Sequence, residues 1–337
     1  MAYSSRQLSY LVAASGGFLQ VLAGWWDVFS HLLYGSVDPW WNPAHLTLYS
    51  AVAITLVGVW QGLRAHPSQP TAMVGPIRFV NLAGLKLAAV GCVIEIVAGA
   101  WNEIVHHLIR SEPRIAPAHA LLVVGMLTVN FGVVIGLAIE NGIIRHELII
   151  ASTMRRTAVV FMTLLTFSAI WLAASGSMIY LAGAFQSSVL NWVFAFMLSF
   201  FAALVLVPLK RVLPQFGSVI AVSMLFNCVA YLLLVVYAGS PSYVPWGLLS
   251  IGLFELLFWA LHPRMAVNRA LLSSSLVIGV FFCAAYYPFT IYLFPWSFSL
   301  QPSILSSILG CVVGALLGGR VYTNLSSAVL GSVTASL

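Results

Sequence analysis

Charge is what this chain has least of: 7% of its 337 residues are Asp, Glu, Lys or Arg, and only 8 residues are acidic. A water-soluble domain of this size carries several times that share on its surface, so the scarcity excludes a soluble globular protein. Cysteine is scarce too, and all four, at 92, 228, 283 and 311, fall inside apolar runs. That placement makes them small buried apolar residues rather than a disulfide framework. No low-complexity or linker segment separates the first 150 residues from the rest. The 14 basic residues are spread over alternate loops and form no patch, so the net charge of +6 is not a nucleic-acid footprint.

What is present is hydrocarbon: 61% of the residues are apolar and the mean hydropathy is +1.01. Runs of about 20 such residues recur along the whole length, as a polytopic membrane protein requires. Only helices satisfy their own backbone in lipid without closing a barrel, so the expected fold class is all-α. Ten transmembrane spans are expected, at 7–30, 45–63, 80–107, 117–139, 157–181, 188–209, 216–238, 245–262, 270–290 and 302–319. The first is too long, too weakly flanked by charge and too rich in Trp and His at its end for a removable signal, and reads as a mature helix.

Threading ten spans puts Arg6, Arg64, Arg78, Arg145, Arg155, Arg156, Lys210, Arg211, Arg264, Arg269 and Arg320 on one side, and only Arg110 and Arg114 on the other. The positive-inside rule then predicts a plasma-membrane protein with both termini cytoplasmic and the stretch after "WWDVFSH" extracytoplasmic.

The opening region repeats. "W-D-V-F-S-H … P-A-H" runs from Trp26 to His45, and "W-N-E-I-V-H … P-A-H" runs from Trp101 to His119. Each copy reads as a helical hairpin whose second span opens on Pro-Ala-His. Residues 1–150 are therefore expected to form a duplicated two-hairpin unit of four helices, and residues 151–337 a separate six-helix bundle beginning after "ENGIIRHELIIASTMRR".

Asp27 and His31 are four apart, hence one turn apart on one helix face, and His45 opens the next helix across a short loop. Two imidazoles and a carboxylate suit a first-row transition metal, with copper, iron and zinc all chemically allowed. In the second copy Asn102, His106 and His119 take the same places. A lone His near a membrane interface is most often hydrogen-bonded there and nothing more. An i, i+4 polar pair followed by Pro-Ala-His in both hairpins is harder to reach by chance, and polar groups in lipid are functional by default.

A rival pair exists in the second copy, since Glu103 and His107 are also four apart, but the repeat register aligns them with Val28 and Leu32 of the first copy. Glu95 lies seven residues before Asn102, on nearly the same face and about 10 Å deeper. It reads either as a proton relay or outer hydrogen-bond partner, or as a glutamate protonated or Lys-paired inside the bundle, with Gln20 in the matching place of the first copy. Lys86 is on the opposite face and Glu255 is alone in sequence. The Trp residues at 25, 26, 40, 41 and 101 read as an interfacial aromatic belt. His66, His146 and His262 read as solvated loop residues.

With these residues in place, the region from about 20 to 140 resembles the C subunit of the copper membrane monooxygenase family, the particulate methane and ammonia monooxygenases. That subunit carries Asp-x-x-x-His then His, and Asn-x-x-x-His then His, on consecutive helices. The matching positions are Asp27, His31 and His45, and Asn102, His106 and His119; "NPAHLTLYS" and "WNEIVHH" look like its ammonia-oxidising members. The resemblance implies copper at these triads and a monooxygenase-like complex that oxidises ammonia, methane or a short alkane with dioxygen. This chain carries no soluble copper-binding domain, so the resemblance also implies other membrane subunits as partners. The reading from a different class is a respiratory electron-transfer or structural subunit, with paired His holding haem b or the hairpins serving as scaffold.

Overall fold

A computed structural model of the chain describes residues 5–34, 41–65, 76–109, 117–146, 153–185, 188–238, 247–293 and 300–334. Among the described residues every regular element is an α-helix: α1 (Ser5–Tyr34), α2 (Pro43–Arg64), α3 (Pro76–Ile109), α4 (Pro117–His146), α5 (Thr153–Phe185), α6 (Ser188–Val212), α7 (Ser218–Ala238), α8 (Gly247–Leu261), α9 (Val267–Leu293) and α10 (Leu300–Thr334). Seven of them hold a stretch long and apolar enough to cross a bilayer: Gln7–Asp27, Pro43–Arg64, Ala83–Val105, Pro117–Ile139, Arg156–Ala174, Trp192–Val212 and Ser303–Asn324. Three shorter apolar stretches, Ser218–Val229, Leu248–Leu261 and Val267–Val280, lie in α7, α8 and α9. The chain is an all-α, multi-pass membrane protein.

The helix starts follow local chemistry. Pro43 takes the first position of α2, where its missing N–H costs no bond, and Asn42 caps that helix, its side chain accepting from Ala44 N at 3.1 Å. Pro117 opens α4 in the same way. Both prolines therefore begin a helix where the sequence places Pro-Ala-His.

The chain divides into two compact units, Met1–Ala173 with Thr323–Leu337, and Ala174–Tyr322. In the first, α1 packs along α2 and α3 along α4. Contacts climb one helix as they descend the other: Gly62 meets Ser9, Gly58 meets Ala13, and Gly16 meets Thr55 and Ala51. Each hairpin is thus antiparallel. In the second hairpin Gly132 meets Gly84 and Ala88, and Gly125 meets Gly91 and Glu95.

Small residues set these approaches. A Cβ on Gly58 would lie 2.7 Å from Ala13 N, and one on Gly132 would lie 2.5 Å from Gly84 O, so neither position admits a side chain at this helix spacing. Lipid tails provide no hydrophobic drive between helices, and close backbone approach supplies the attraction instead. The buried interior is accordingly Ala- and Val-rich, with Tyr10, Leu85 and Leu137 as its larger members.

In the second unit, a buried charge on α6 meets one on α8. Lys210 and Glu255 form a fully buried ion pair in which Lys210 Nζ donates to Glu255 Oε1. The same oxygen accepts from Gly217 N at 3.2 Å and Trp259 Nε1 at 3.2 Å, while Lys210 also donates to Gln215 O at 2.9 Å. Glu255, solitary in sequence, has its partner 45 residues away. On the other side of α6, α10 lies against the α6 backbone: Ser199 and Ser307 hydroxyls share a hydrogen bond and the Cys311 thiol donates to Ser199 O at 3.5 Å. Cys92 and Cys311 are buried free thiols and Cys228 is an exposed one; the Cys283 side chain lies outside the described residues.

Candidate metal centre

The antiparallel register of the first hairpin decides which polar groups meet. Continuing the progression that pairs Ser9 with Gly62 and Gly16 with Ala51 brings the end of α1 level with the start of α2. There His45 Nε2 lies 2.9 Å from Asp27 Oδ1, both residues being buried at 5% and 7% exposure. The Asn42 cap and Pro43 hold His45 in the first turn of α2, and Gly24 of α1 lies against Met126 of α4 nearby. Trp25, beside Asp27 in the chain, donates its indole N–H to Leu172 O at 2.7 Å and so ties this end of α1 to α5.

A carboxylate oxygen and an imidazole nitrogen at this spacing are in close polar contact, and the same two atoms could be ligands of one ion with little rearrangement. Two donor atoms each about 2.1 Å from one metal stand about 3.0 Å apart at a right angle and about 3.4 Å apart at the tetrahedral angle. The separation of these two donors is compatible with a shared metal as well as with a direct carboxylate–imidazole contact. His31, one turn beyond Asp27, lies on α1, and its side chain is outside the described residues.

In the second hairpin the progression from Gly84 with Gly132 to Glu95 with Gly125 sets Asn102 level with His119. Asn102 is buried at 6% exposure, and its Oδ1 has no hydrogen-bond donor among the described residues. His119 is half-buried in the first turn of α4, as His45 is in the first turn of α2. His106 and His107 lie on α3 with side chains outside the described residues, and Glu103 is half-buried. Among the described residues no three His, Cys, Asp or Glu side chains converge; these include Asp27 and His45 of the first triad, and Asn102 and His119 of the second.

Tyr49 is a residue of the site that spacing alone did not single out. It follows His45 by one turn, with the two rings 6.3 Å apart. Its hydroxyl lies within electrostatic reach of both Asp27 and Glu103, and its ring edge approaches α3 at Gly99. Tyr49 therefore stands between the Asp27–His45 pair and the second hairpin. The signal was available in "HLTLY", which puts Tyr49 on the His45 face.

Glu95 and Gln20 lie deeper in the unit, both buried. Gln20 donates to Thr55 Oγ1 at 2.9 Å, whereas neither carboxyl oxygen of Glu95 has a donor among the described residues. Lys86 is exposed. Comparison of the chain with family models, with curated proteins and with solved structures returns no match.

Proposed function

We propose that this chain is an integral copper-binding subunit of a monooxygenase-like membrane complex that oxidises a small molecule such as ammonia, methane or a short alkane with dioxygen. The observation that carries the reading is the buried Asp27–His45 pair at 2.9 Å, formed where a helix end and a helix start meet. In this reading Asp27, His31 and His45 hold one metal, and Asn102, His106 and His119 hold a second or its vestige. The two hairpins are copies of one unit related by a pseudo-two-fold axis. Ten spans cross the bilayer, residues 1–150 forming the metal-binding unit and residues 151–337 a further bundle.

Copper supplies the one-electron chemistry that spin-paired organic side chains lack toward dioxygen. The chain's own residues do the rest. Asp27 and His45 orient each other and provide a carboxylate and an imidazole in a site largely closed to water. Tyr49 stands one turn from His45, with its ring edge toward α3 at Gly99. In this reading other membrane subunits supply electrons. The sites lie near the extracytoplasmic face, with both termini cytoplasmic.

Metal content and a visible spectrum of the protein purified in mild detergent test the reading. Near-stoichiometric copper without a Soret band is expected. A Soret band with two axial imidazoles would replace it with the haem b electron-transfer reading. Absence of both copper and haem, with iron and zinc also absent, would leave a scaffold subunit.

A further inference from the structure

The two hairpins of the first unit carry a carboxyl and an amide on one helix face, but in opposite order. Along α1 the amide, Gln20, comes first and the carboxylate, Asp27, follows seven residues later. Along α3 the carboxyl, Glu95, comes first and the amide, Asn102, follows at the same interval. Seven residues is nearly two turns, so each pair shares a face and stands about 10 Å apart along the axis. All four are buried, at 0%, 7%, 3% and 6% exposure.

The deeper members are held differently. Gln20 is tied down through its bond to Thr55, whose hydroxyl in turn donates to Ala51 O at 2.9 Å. Glu95 has both carboxyl oxygens buried without a hydrogen-bond donor among the described residues. Its stem lies against Gly125, where a Cβ would come within 2.5 Å of Glu95 Cγ. Among the described residues no ion pair offsets its burial, and Cys92 lies one turn away on the same helix.

The helices packed on α3 are α4 and α2. Between His119 and Glu140, α4 has no ionisable residue, and α2 has none between Tyr49 and Arg64. On α3 itself the others are Arg78, Lys86, Glu103 and the two His near its end. A carboxyl placed in lipid without a cation or donor is costly, and no packing role requires one where the first hairpin uses an amide.

We infer that Glu95 is the proton-carrying residue of the second hairpin, delivering protons to the Asn102–His119 end, and that Gln20 closes the equivalent route in the first hairpin. The step is a proton transfer and nothing else. A proton leaves a Glu95 oxygen along a chain of hydrogen-bonded water toward the helix end, and the carboxylate left behind takes one from the opposite side. About 10 Å corresponds to three or four hydrogen-bond links of roughly 2.8 Å. Reduction of dioxygen consumes protons, which is the use for such a route. The destination of the proton rests on the copper reading above, whereas exchange at Glu95 does not.

Infrared difference spectra of the protein in phosphatidylcholine bilayers test both parts. A carboxylic C=O band that shifts in heavy water is expected in the wild type, lost in Glu95→Gln and kept in Glu255→Gln. Glu95→Asp should displace the band rather than remove it, and Gln20→Glu should add a second. Labelling by a hydrophobic carbodiimide should fall on Glu95 and vanish in Glu95→Gln. Copper loading should change the band's amplitude, while Glu95→Gln should retain wild-type copper content. Persistence of the band in Glu95→Gln, or absence of exchange in both wild type and Glu95→Asp, overturns the inference. So does loss of copper in Glu95→Gln, which would make Glu95 a ligand. A wild type that exchanges at Glu95 but binds no copper refutes the site reading and the proton's destination together, and leaves the carrier itself standing.

Discussion

His45 Nε2, in the first turn of α2, stands 2.9 Å from Asp27 Oδ1 of α1, whose helix runs on to Tyr34. The pair exists because three local decisions agree. Small residues bring α1 and α2 together in one register, Asn42 and Pro43 start α2 at a fixed residue, and Asp27 and His45 are thereby brought level. In the second hairpin the same placement sets an amide, Asn102, opposite His119.

The first triad should therefore hold metal more tightly than the second. In a partly dehydrated site a carboxylate gains Coulomb energy with a divalent cation that an amide dipole cannot match. Asp27→Asn is expected to weaken copper binding at least about tenfold, or about 1.4 kcal/mol. Asn102→Asp should strengthen the second site. Both should lose copper in acid, where protons compete for the imidazoles. Metal analysis at limiting copper decides it: full occupancy in Asp27→Asn would show that this triad does not ligate.

Tyr49 should matter through its hydroxyl rather than its ring. The ring sits one turn from His45, and the hydroxyl is within electrostatic reach of Asp27 and Glu103. Tyr49→Phe keeps the volume and removes the oxygen, so the melting temperature should hold. Outer partners of metal ligands are worth roughly 10- to 100-fold in affinity or activity. Copper retention during dialysis against a chelator should fall by about that range, and unchanged retention would reduce Tyr49 to an interfacial aromatic.

The apolar runs and the Pro-Ala-His starts were legible in sequence because each is a local property. Lipid-length hydrophobicity marks a helix, and proline marks its first turn. Tyr49 was hidden because an aromatic near a membrane boundary already has an ordinary explanation in the interfacial belt. Lys210 and Glu255 were hidden for another reason. They lie on different helices, 45 residues apart, and no periodicity links residues whose meeting depends on how α6 and α8 pack. Glu255, alone in sequence and given no role there, has Lys210 as its partner.

The proposed orientation rests on the basic residues, 11 of the 14 lying on the side assigned to the cytoplasm. A Ser36→Cys variant, altered in the stretch joining α1 to α2, should label with an impermeant maleimide from outside intact cells. Labelling only after permeabilisation would invert the orientation and move both candidate sites to the cytoplasmic face.

The Lys210–Glu255 pair should stabilise the second unit only while both partners are present. Glu255 Oε1 gathers three donors, from Lys210, Gly217 and Trp259, and Lys210 lies beside the Phe258 and Trp259 rings at 5.3 and 5.5 Å. Removing one member strands a charge in a low-dielectric interior, at about 3–5 kcal/mol, whereas replacing both by apolar residues of similar size is often nearly neutral. Lys210→Met and Glu255→Leu should each lower the melting temperature in detergent markedly. The double variant should recover most of that loss, although Gly217 N–H and Trp259 N–H then lose their acceptor. A double variant as unstable as the two singles combined would mean that Lys210 and Glu255 act independently. The pair would then be two separately anchored side chains, and the short α8 would owe its position to packing alone.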